Sequence, residues 1–362
     1  MADLPDLRAR VREIDSRILR LVAERMDLVK SIGAVKRSRG VALRDFEVEK
    51  QVLDNAAETA RDLGIALDLA RGVMQLLISE SCLEQERLHY SAYGGGAERV
   101  LVVGGAGKMG QWFAQFFRNQ GHDVRVFDPQ PAPEDFPSCA TLEAGLAEAS
   151  VAVVASPLEA TAEVIERIAA TGYAGIAFDI ASLKGPLKSA IAGARARGIR
   201  LTSTHPMFGA GARTLSDKVI CMCDCGDDEA NRRVRGFFEE TAVTLVPLSL
   251  DEHDRIISYV LGLSHLVSIV FAHVLAGSGI SYAQLCGVGS TTFLSQMKTT
   301  ESVARENPEL YYAIQRNNPN TAGVYRAFAA GLEHMTRSVL LEDRDNFVAA
   351  MERAKAWLDD PT

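Results

Sequence analysis

The stretch from Val100 to Asp128 decides the fold, and it reads Val100-Leu101-Val102-Val103, Gly104-Gly105-Ala106-Gly107-Lys108-Met109-Gly110 and, after a helix-like run, Val124-Arg125-Val126-Phe127-Asp128. An apolar run, a glycine turn, a helix and a second apolar run ending in an acid are typical of a dinucleotide-binding βαβ unit. Gly105, Gly107 and Gly110 have the G-x-G-x-x-G spacing. We expect the first to allow a tight turn, the second to admit a pyrophosphate and the third to let helix pack on strand. This order favours a nucleotide site over a glycine-rich structural turn.

The same stretch predicts which cofactor binds. A pyrophosphate would lie at the helix N-terminus, where Lys108 and Met109 begin the helix and free N–H groups favour negative charge. Asp128 falls where an acid hydrogen-bonds a ribose 2′-hydroxyl, so NAD is expected rather than NADP. Ser156-Pro157 ends the next buried strand, and this loop is expected to face the nicotinamide at the carboxyl edge of the sheet.

Length and composition limit the class of protein. A chain of 362 residues, 47% hydrophobic and 24% charged, is expected to form two or three globular domains. The net charge of -8 argues against nucleic acid or an anionic membrane as the main partner. The N-terminus has no signal-peptide pattern, and we expect no apolar run of membrane length, so a cytoplasmic protein is predicted.

Three of the six cysteines alternate, at Cys221, Cys223 and Cys225, so on a strand they would share one face. A metal site would need a fourth ligand and usually a C-x-x-C spacing. The pattern therefore favours small buried strand residues, and we expect no metal.

Residues 1–92 are predicted to be helical. Apolar residues recur every three or four positions along one long helix: Leu7, Val11, Ile14, Ile18, Leu21, Leu28, Ile32 and Val35. Arg25 fills the gap in this seam, and Lys36 lies near the same face. A second helix is expected from about Glu47 to Leu63 and a third from about Leu67 to His89, whose seam is interrupted by Ser81 and Gln85.

Polar residues at seam positions usually set helix register. Four of them together describe a small polar pocket, lined by the two cations Arg25 and Lys36 and by the neutral Ser81 and Gln85. No nucleophile or histidine accompanies them. Such a pocket suits a reaction that needs only orientation and electrostatic stabilisation of an anionic substrate.

Residues 4–90 resemble the all-helical chorismate mutase family, which rearranges chorismate to prephenate without an acid–base step. The resemblance rests on seven residues: Arg8, Arg25, Lys36, Asp45, Glu49, Ser81 and Gln85. It implies that the arginines and Lys36 hold the two carboxylates and the ether oxygen, with Asp45 and Glu49 near the substrate hydroxyl. It also implies a domain-swapped dimer in which Arg8 enters the partner's site. Val48 is a departure, since the family usually has arginine just before the glutamate.

After a short linker at residues 93–97, strands alternate with helices, which predicts a doubly wound sheet. The expected strands at 151–155, 176–180 and 199–203 are followed by polar residues, among them Ser182, Lys184 and His205. A lone histidine at a strand end usually packs or caps. Here it stands at the edge of the sheet where ligands bind.

The segments Asp179-x-x-Ser182-x-Lys184 and His205-Pro206-Met207-Phe208-Gly209 resemble those of the prephenate dehydrogenase family. The resemblance implies that His205 accepts a hydrogen bond from the ring hydroxyl as hydride leaves the same carbon for NAD and carbon dioxide is lost. A neutral imidazole suits that task. Ser182 would support His205, and Lys184 would order the nicotinamide side or the substrate carboxylate.

Residues 251–362 are predicted to be helical, at 256–275, 282–306, 310–317 and 324–357. The family uses this part to dimerise and to close the substrate site, and His265 matches a histidine that faces the substrate. An alternative for His265 is a satisfied core residue. Ser302 stands where the family has an arginine that clamps a carboxylate, and Lys298 or Arg305 is the candidate to replace it.

Together the segments resemble the bifunctional chorismate mutase/prephenate dehydrogenase family. We expect an all-α mutase domain at 1–92, an α/β Rossmann domain at 97–248 and an all-α substrate and dimerisation domain at 249–362. The expected activity converts chorismate through prephenate to 4-hydroxyphenylpyruvate, in a homodimer with small-molecule substrates. Val48 and Ser302 raise the alternative of 4-amino-4-deoxychorismate as substrate. A non-catalytic NAD-binding regulator is a third reading, against which the retained polar residues speak.

Overall fold

The computed structural model describes residues 3–38, 46–90, 97–131, 135–212, 215, 218–239, 241 and 243–360, without the side chains of 36–38, 46–50, 79, 82, 83 and 85–90. The chain divides into two compact units. The first comprises Met1–Ser182 and Leu187–Ser249, and the second comprises Leu183–Pro186 and Leu250–Thr362. The chain therefore enters the second unit briefly, directly after Ser182.

The first unit begins with three helices, α1 (Leu4–Ser38), α2 (Phe46–Leu63) and α3 (Leu67–Tyr90). Their bounds agree closely with the prediction, and α3 packs against both other helices. Few of their described apolar side chains are buried, among them Val29, Ala57 and Ala60.

The apolar seam of α1, whose periodicity predicts a buried helix face, is exposed in the single chain. Ile14 and Ile18 are both 52% exposed, and Leu21 is 63% exposed. Exposed apolar surface of this extent needs another partner in water.

A seven-stranded sheet forms the rest of the first unit, in the order β2-β1-β3-β4-β5-β6-β7. The strands are β1 (Arg99–Val103), β2 (Asp123–Phe127), β3 (Val151–Val154), β4 (Ile176–Asp179), β5 (Arg200–Pro206), β6 (Val219–Asp224) and β7 (Thr244–Ser249). Neighbouring strands are parallel except β5 and β6. The predicted doubly wound α/β sheet is confirmed.

The helices of the sheet are α4 (Lys108–Asn119), α5 (Leu142–Glu148), α6 (Leu158–Ala170), α7 (Lys188–Ala196) and α8 (Asp228–Glu239). β1, β3 and β4 are almost continuous apolar runs because both faces of a parallel sheet are covered. An aromatic cluster holds α4 and α8 to the sheet: Phe113 lies 6.2 Å from Phe178 and 6.5 Å from Phe238, between ring centroids. Burial of each phenylalanine side chain contributes about 2 kcal/mol to the stability of the fold.

β5 is longer than predicted. It continues through Pro206 because its last residues pair with the antiparallel strand β6, where His205 lies opposite Cys221. His205 therefore lies within the strand and not after it. Cys221 and Cys223 are buried on β6 and Cys225 follows it. Within the part of the chain that the structure describes, no group of three His, Cys, Asp or Glu side chains could hold a metal ion.

The second unit is helical, as predicted. Its helices are α9 (Leu250–Ile257), α10 (Ser264–Ala276), α11 (Tyr282–Gly287), α12 (Thr291–Ala304), α13 (Pro308–Asn317), α14 (Thr321–Leu340) and α15 (Arg344–Asp359). Two predicted helices are each divided in two. Ser290 caps the start of α12 by accepting from the N–H of Phe293, and Asp343 caps α15 by accepting from that of Asn346.

The expectation that no apolar run reaches membrane length was wrong. Among the described helices, Leu250–Ala276 is long and apolar enough by composition, with a mean hydropathy of 1.8 in its most apolar window. One such helix is weak evidence for a membrane. It contains a π-helical turn at Ser258–Leu263, and its buried side includes His265 and Ser268. Much of its other side is exposed in the single chain, including Val274 at 62%.

Candidate active sites

The glycine turn between β1 and α4 is built so closely that side chains are excluded. Gly104 has a φ of +88°, and a Cβ there would lie 2.5 Å from the main-chain oxygen of Ala155. A Cβ on Gly105 would lie 2.5 Å from that of Val126, and one on Gly110 would lie 2.1 Å from the oxygen of Gly104. The positive φ of the turn thus lies at Gly104, one residue before the predicted motif, while Gly105 and Gly110 leave the space that the neighbouring strand and the helix occupy.

The N-terminus of α4 is open to an anion. Gly107 occupies the N-cap position and no side chain caps the first N–H groups, which belong to the turn of Lys108 and Met109. Asp128 follows β2 and its carboxylate accepts from the N–H of Ala106 at 3.0 Å and from that of Gln130 at 2.8 Å. The structure therefore brings the predicted acid and the glycine turn together, which fits a dinucleotide.

Ser156 and Pro157 follow β3 next to this turn, because the preceding residue, Ala155, is the one that excludes a side chain at Gly104. The Ser156 hydroxyl lies 3.0 Å from that of Thr161 in the first turn of α6. Pro157 occupies the N-cap position of that helix. Both predicted residues therefore border the glycine turn.

Ser182 follows β4, and His205 is one of the last residues of the adjacent parallel strand β5, so both lie towards the same edge of the sheet. Asp179 ends β4 and lies opposite Ser203 in β5. The hydroxyl of Thr204 donates to the main-chain oxygen of Asp179 at 2.9 Å, and the Asp179 carboxylate accepts from the N–H of Ala181 at 3.0 Å. These bonds fix the backbone on either side of the two candidate residues. Ser182 is half-buried and His205 is 4% exposed.

The segment after His205 is tied to the helix that begins at the glycine turn. The indole N–H of Trp112 in α4 donates to the main-chain oxygen of Ala212 at 2.8 Å. The ring of Phe208 lies 5.1 Å from that of Trp112. The sequence analysis did not select Trp112, although a tryptophan one turn into a cofactor-binding helix was a visible signal.

Lys184 belongs to the second unit and its side chain is completely buried there. The N–H of Lys184 donates to the carboxylate of Asp254 at 2.8 Å, and the N–H of Gly185 donates to its other oxygen at 2.6 Å. His253 lies 2.8 Å from the same carboxylate through Nδ1. Asp254 was also missed by the sequence analysis, because only the fold brings it to the Lys184 segment.

His265 lies on α10 and is 8% exposed. Its ring stacks on Tyr311 of α13 with 4.2 Å between centroids. Burial lowers the pKa of His265 to about 4, so the imidazole is neutral at cellular pH. The Nδ1 atom is buried and accepts or donates no hydrogen bond among the described residues. A histidine with an unused polar atom suits ligand contact better than the alternative of a satisfied core residue.

Ser302 is exposed on α12, and its hydroxyl donates to the main-chain oxygen of Thr299 at 2.7 Å. Lys298 is exposed one turn earlier. Arg305 is 79% exposed and pairs with Glu301 at 3.3 Å. Neither cation is held in a buried clamp in the single chain.

Arg25 and Ser81 meet between α1 and α3, as the polar-pocket prediction requires. The guanidinium of Arg25 donates to the Ser81 hydroxyl, and also to the main-chain oxygen of Leu77 at 3.0 Å. Arg8 is exposed on α1. The remaining predicted mutase residues have side chains outside the described part of the chain: Lys36, Asp45, Glu49 and Gln85, together with Val48.

Three family models match the chain. Chorismate mutase type II matches residues 7–86, the nucleotide-binding domain of prephenate dehydrogenase matches 135–246, and its dimerization domain matches 249–353. The nucleotide-binding match begins after the glycine turn, so the assignment of that turn depends on its geometry.

Relatives and solved structures agree with the models. The T-protein of Enterobacter agglomerans is 25% identical over 361 residues, which cover 99% of this chain and 94% of that protein. A chorismate mutase of Methanocaldococcus jannaschii is 30% identical over 78 residues, covering 22% of this chain and 79% of that protein.

The fold of a prephenate dehydrogenase from A. aeolicus, solved in complex with hydroxyphenyl propionate and NAD+, is similar, with a TM-score of 0.59 at 18% identity. The match covers 73% of this chain and 98% of that one. Because a chorismate mutase model and both prephenate dehydrogenase models match successive parts of one chain, and a T-protein aligns with 99% of it, the chain belongs to the bifunctional chorismate mutase/prephenate dehydrogenase family.

Proposed function

We propose that this chain converts chorismate to prephenate in its helical N-terminal part and then oxidatively decarboxylates prephenate to 4-hydroxyphenylpyruvate with NAD, in tyrosine biosynthesis. The observation that carries the proposal is the presence of two unlike sets of polar residues. One pairs Arg25 with Ser81 between helices, and the other places Ser182 and His205 at one edge of a sheet that also carries the glycine turn. We keep the domain bounds 1–92, 97–248 and 249–362 as part of this proposal.

In the mutase step Arg25, Lys36 and Gln85 are assigned to the substrate carboxylate and ether oxygen. Ser81 orients Arg25, which its present hydrogen bond supports. Arg8 is assigned to the partner's site, and Asp45 and Glu49 to the substrate hydroxyl. A rearrangement without proton transfer needs no acid or base, so positioned cations are sufficient to stabilise the developing negative charge.

In the dehydrogenase step NAD supplies the acceptor for the hydride. Its pyrophosphate is assigned to the turn of Gly105, Gly107 and Gly110 with the N–H groups of Lys108 and Met109, which no side chain caps. Asp128 is assigned to the ribose hydroxyls, and its charge disfavours the 2′-phosphate of NADP. Ser156 and Pro157 border the same turn and are assigned to the nicotinamide side.

The protein groups act on the substrate as follows. His205 accepts the hydrogen bond of the ring hydroxyl and takes its proton as the hydride leaves the same carbon. Ser182 orients His205 and the hydroxyl, and Lys184 is assigned to the nicotinamide side or the substrate carboxylate. His265 contacts the substrate as a neutral imidazole. Loss of carbon dioxide then restores the aromatic ring as a phenolate, and His205 returns the proton to its oxygen.

A homodimer in the cytoplasm is the assembly that we propose. The exposed seam of α1 and the exposed apolar side of α10 support a second copy as the partner, since both lie in segments matched by the mutase and dimerization models. The same reasoning supports a buried interface for Leu250–Ala276, in place of a membrane.

Exchange of a single residue tests the separation of the two activities. His205→Asn is expected to slow NADH formation from prephenate by about 100-fold or more, because general-base assistance contributes about that much. The mutase rate of the same variant should be unchanged. Loss of both activities in a folded variant would contradict two separate sites.

The second candidate is the same pair of reactions on the 4-amino-4-deoxy compounds. Ser302 favours it, because its hydroxyl bonds within its own helix where the family has a carboxylate clamp. NADH formation is measured with NAD and either prephenate or 4-amino-4-deoxyprephenate. A preference for the amino compound of about tenfold, or 1.4 kcal/mol, supports this candidate, and Ser302→Arg is then expected to improve prephenate use. A preference for prephenate excludes it.

A further inference from the structure

Asp254 is a buried acid among the described residues of the second unit, and its carboxylate is hydrogen-bonded through both oxygens. Asp254 is 2% exposed, and both of its oxygens accept hydrogen bonds. Oδ1 accepts from the N–H of Lys184 at 2.8 Å and Oδ2 accepts from the N–H of Gly185 at 2.6 Å. His253, fully buried, adds a contact of 2.8 Å from Nδ1 to Oδ1.

These partners keep the carboxylate charged. Burial alone would raise the pKa of Asp254, and the hydrogen bonds from His253 and from the N–H groups of Lys184 and Gly185 bring that pKa below its ordinary value. A buried carboxylate that loses a donor is left with an unsatisfied charge, which is strongly unfavourable. A shift of the backbone at Lys184-Gly185 would therefore remove these hydrogen bonds and destabilise the buried charge.

The surroundings of Asp254 are rigid on the opposite side as well. The side-chain amide of Asn318 donates to the main-chain oxygen of Asp254 at 2.8 Å. Gly262 lies about two helical turns after Asp254 and three residues before His265. Its main-chain oxygen accepts a hydrogen bond from the side-chain amide of Gln315 at 3.0 Å. The helical stretch that holds the Lys184 segment is thus fastened to α13 near both Asp254 and His265.

Space is also limited at the contact itself. A Cβ on Gly185 would lie 2.9 Å from Oδ2 of Asp254. The carboxylate and the backbone of Gly185 therefore fit only when residue 185 lacks a side chain, and the fit can be disturbed from either side.

We propose that Asp254, supported by His253, is a positioning residue for the dehydrogenase step. It fixes the backbone of Lys184 and Gly185, directly after Ser182, and belongs to the same helical stretch as His265. It touches no reacting atom and acts through the Lys184 segment. This inference rests on the proposed dehydrogenase function.

The first test is Asp254→Asn. The amide has the same shape but only one accepting oxygen, so its NH₂ group must oppose one of the two backbone N–H donors. We expect kcat for NADH formation from prephenate to fall at least tenfold, with KM for NAD within twofold of wild type, because the glycine turn takes no part in this hydrogen-bond set. The mutase rate of the same protein should be unchanged. Asp254→Glu, which keeps the charge, should recover part of kcat.

The matched control is Asp251→Asn, an exposed acid on the same helix, which should match wild type. An unchanged kcat in Asp254→Asn overturns the proposal. If that variant does not fold, as shown by loss of helical circular dichroism or of a cooperative thermal transition, Gly185→Ala decides. A fall in kcat with the mutase rate kept supports the proposal, and wild-type kinetics overturn it. Failure of the wild-type protein to form NADH from prephenate would instead contradict the proposed function.

Discussion

The indole N–H of Trp112 donates to the main-chain oxygen of Ala212 across 2.8 Å, which joins the helix that begins at the glycine turn to the segment that follows His205. The two residues are 100 positions apart in the sequence. Phe208 packs against the same indole ring. The side chain of Trp112 therefore links the position of α4 to that of the segment that follows His205.

Trp112→Phe keeps the ring contact and removes the N–H donor. Loss of one hydrogen bond of about 1 kcal/mol corresponds to roughly a fivefold fall in kcat/KM for prephenate. The chain has two tryptophans, so Trp357→Phe leaves Trp112 as the only one and serves as the control with normal activity. In that control the fluorescence of Trp112 should change when NAD binds. Unaltered kinetics in Trp112→Phe would contradict the link.

Asp128→Ser should weaken NAD binding. A charge-assisted hydrogen bond contributes about 1.5–3 kcal/mol, so KM for NAD is expected to rise tenfold or more, and the preference for NAD over NADP should fall by a similar factor. The control is Asp123→Ser, an exposed acid at the other end of β2. An unchanged cofactor preference would exclude Asp128 from the ribose site.

Arg25→Ala should lower the mutase kcat/KM by about 100-fold or more, as expected for a group that stabilises developing charge. Ser81→Ala should have a smaller effect, since it removes only the hydroxyl that orients the guanidinium. Arg17→Ala, an exposed cation on the same helix, is the control. NADH formation from prephenate should be normal in all three. An equal effect of Arg17→Ala would show that general helix charge and not the Arg25 position matters.

The lowered pKa of His265 predicts that the folded protein loses stability at acid pH. Burial lowers its pKa from 6.5 to about 4, so the unfolded chain binds a proton between these pH values that the folded chain does not. The stabilisation is complete above pH 6.5 and is lost as the pH falls towards about 4, by about 3 kcal/mol in the free energy of unfolding. His265→Gln should show a shallower pH dependence over that range. Titration of the His265 ring near pH 6.5 by NMR would contradict the burial.

Much of the α/β unit follows from local pattern. The apolar runs of β1, β3 and β4 and the glycine spacing predict strands, helix and turn because each is decided within a few residues. The need for glycine at position 104 was not predictable, since a Cβ there would meet the main-chain oxygen of Ala155, which follows β3. The extension of β5 through His205 likewise depends on its pairing with β6.

Candidate site residues could be predicted where they belong to a local sequence motif. They could not be predicted where only the fold brings distant residues together. Arg25 and Ser81 share a seam pattern, and the structure brings them together. The contacts of Asp254 and Trp112 could not be predicted, because their partners Lys184 and Ala212 lie 70 and 100 residues away. The exposed seam of α1 shows the same limit, since a periodic pattern predicts a buried face without telling which chain buries it.

The central claim is that one chain performs two successive reactions, and product analysis from chorismate tests it most directly. Purified protein is given chorismate and NAD, and chorismate loss, prephenate, 4-hydroxyphenylpyruvate and NADH are measured together in wild type and His205→Asn. We predict equal amounts of NADH and 4-hydroxyphenylpyruvate in wild type, and accumulation of prephenate in the variant. Loss of chorismate without NADH in wild type, or unchanged NADH formation in His205→Asn, would contradict the account.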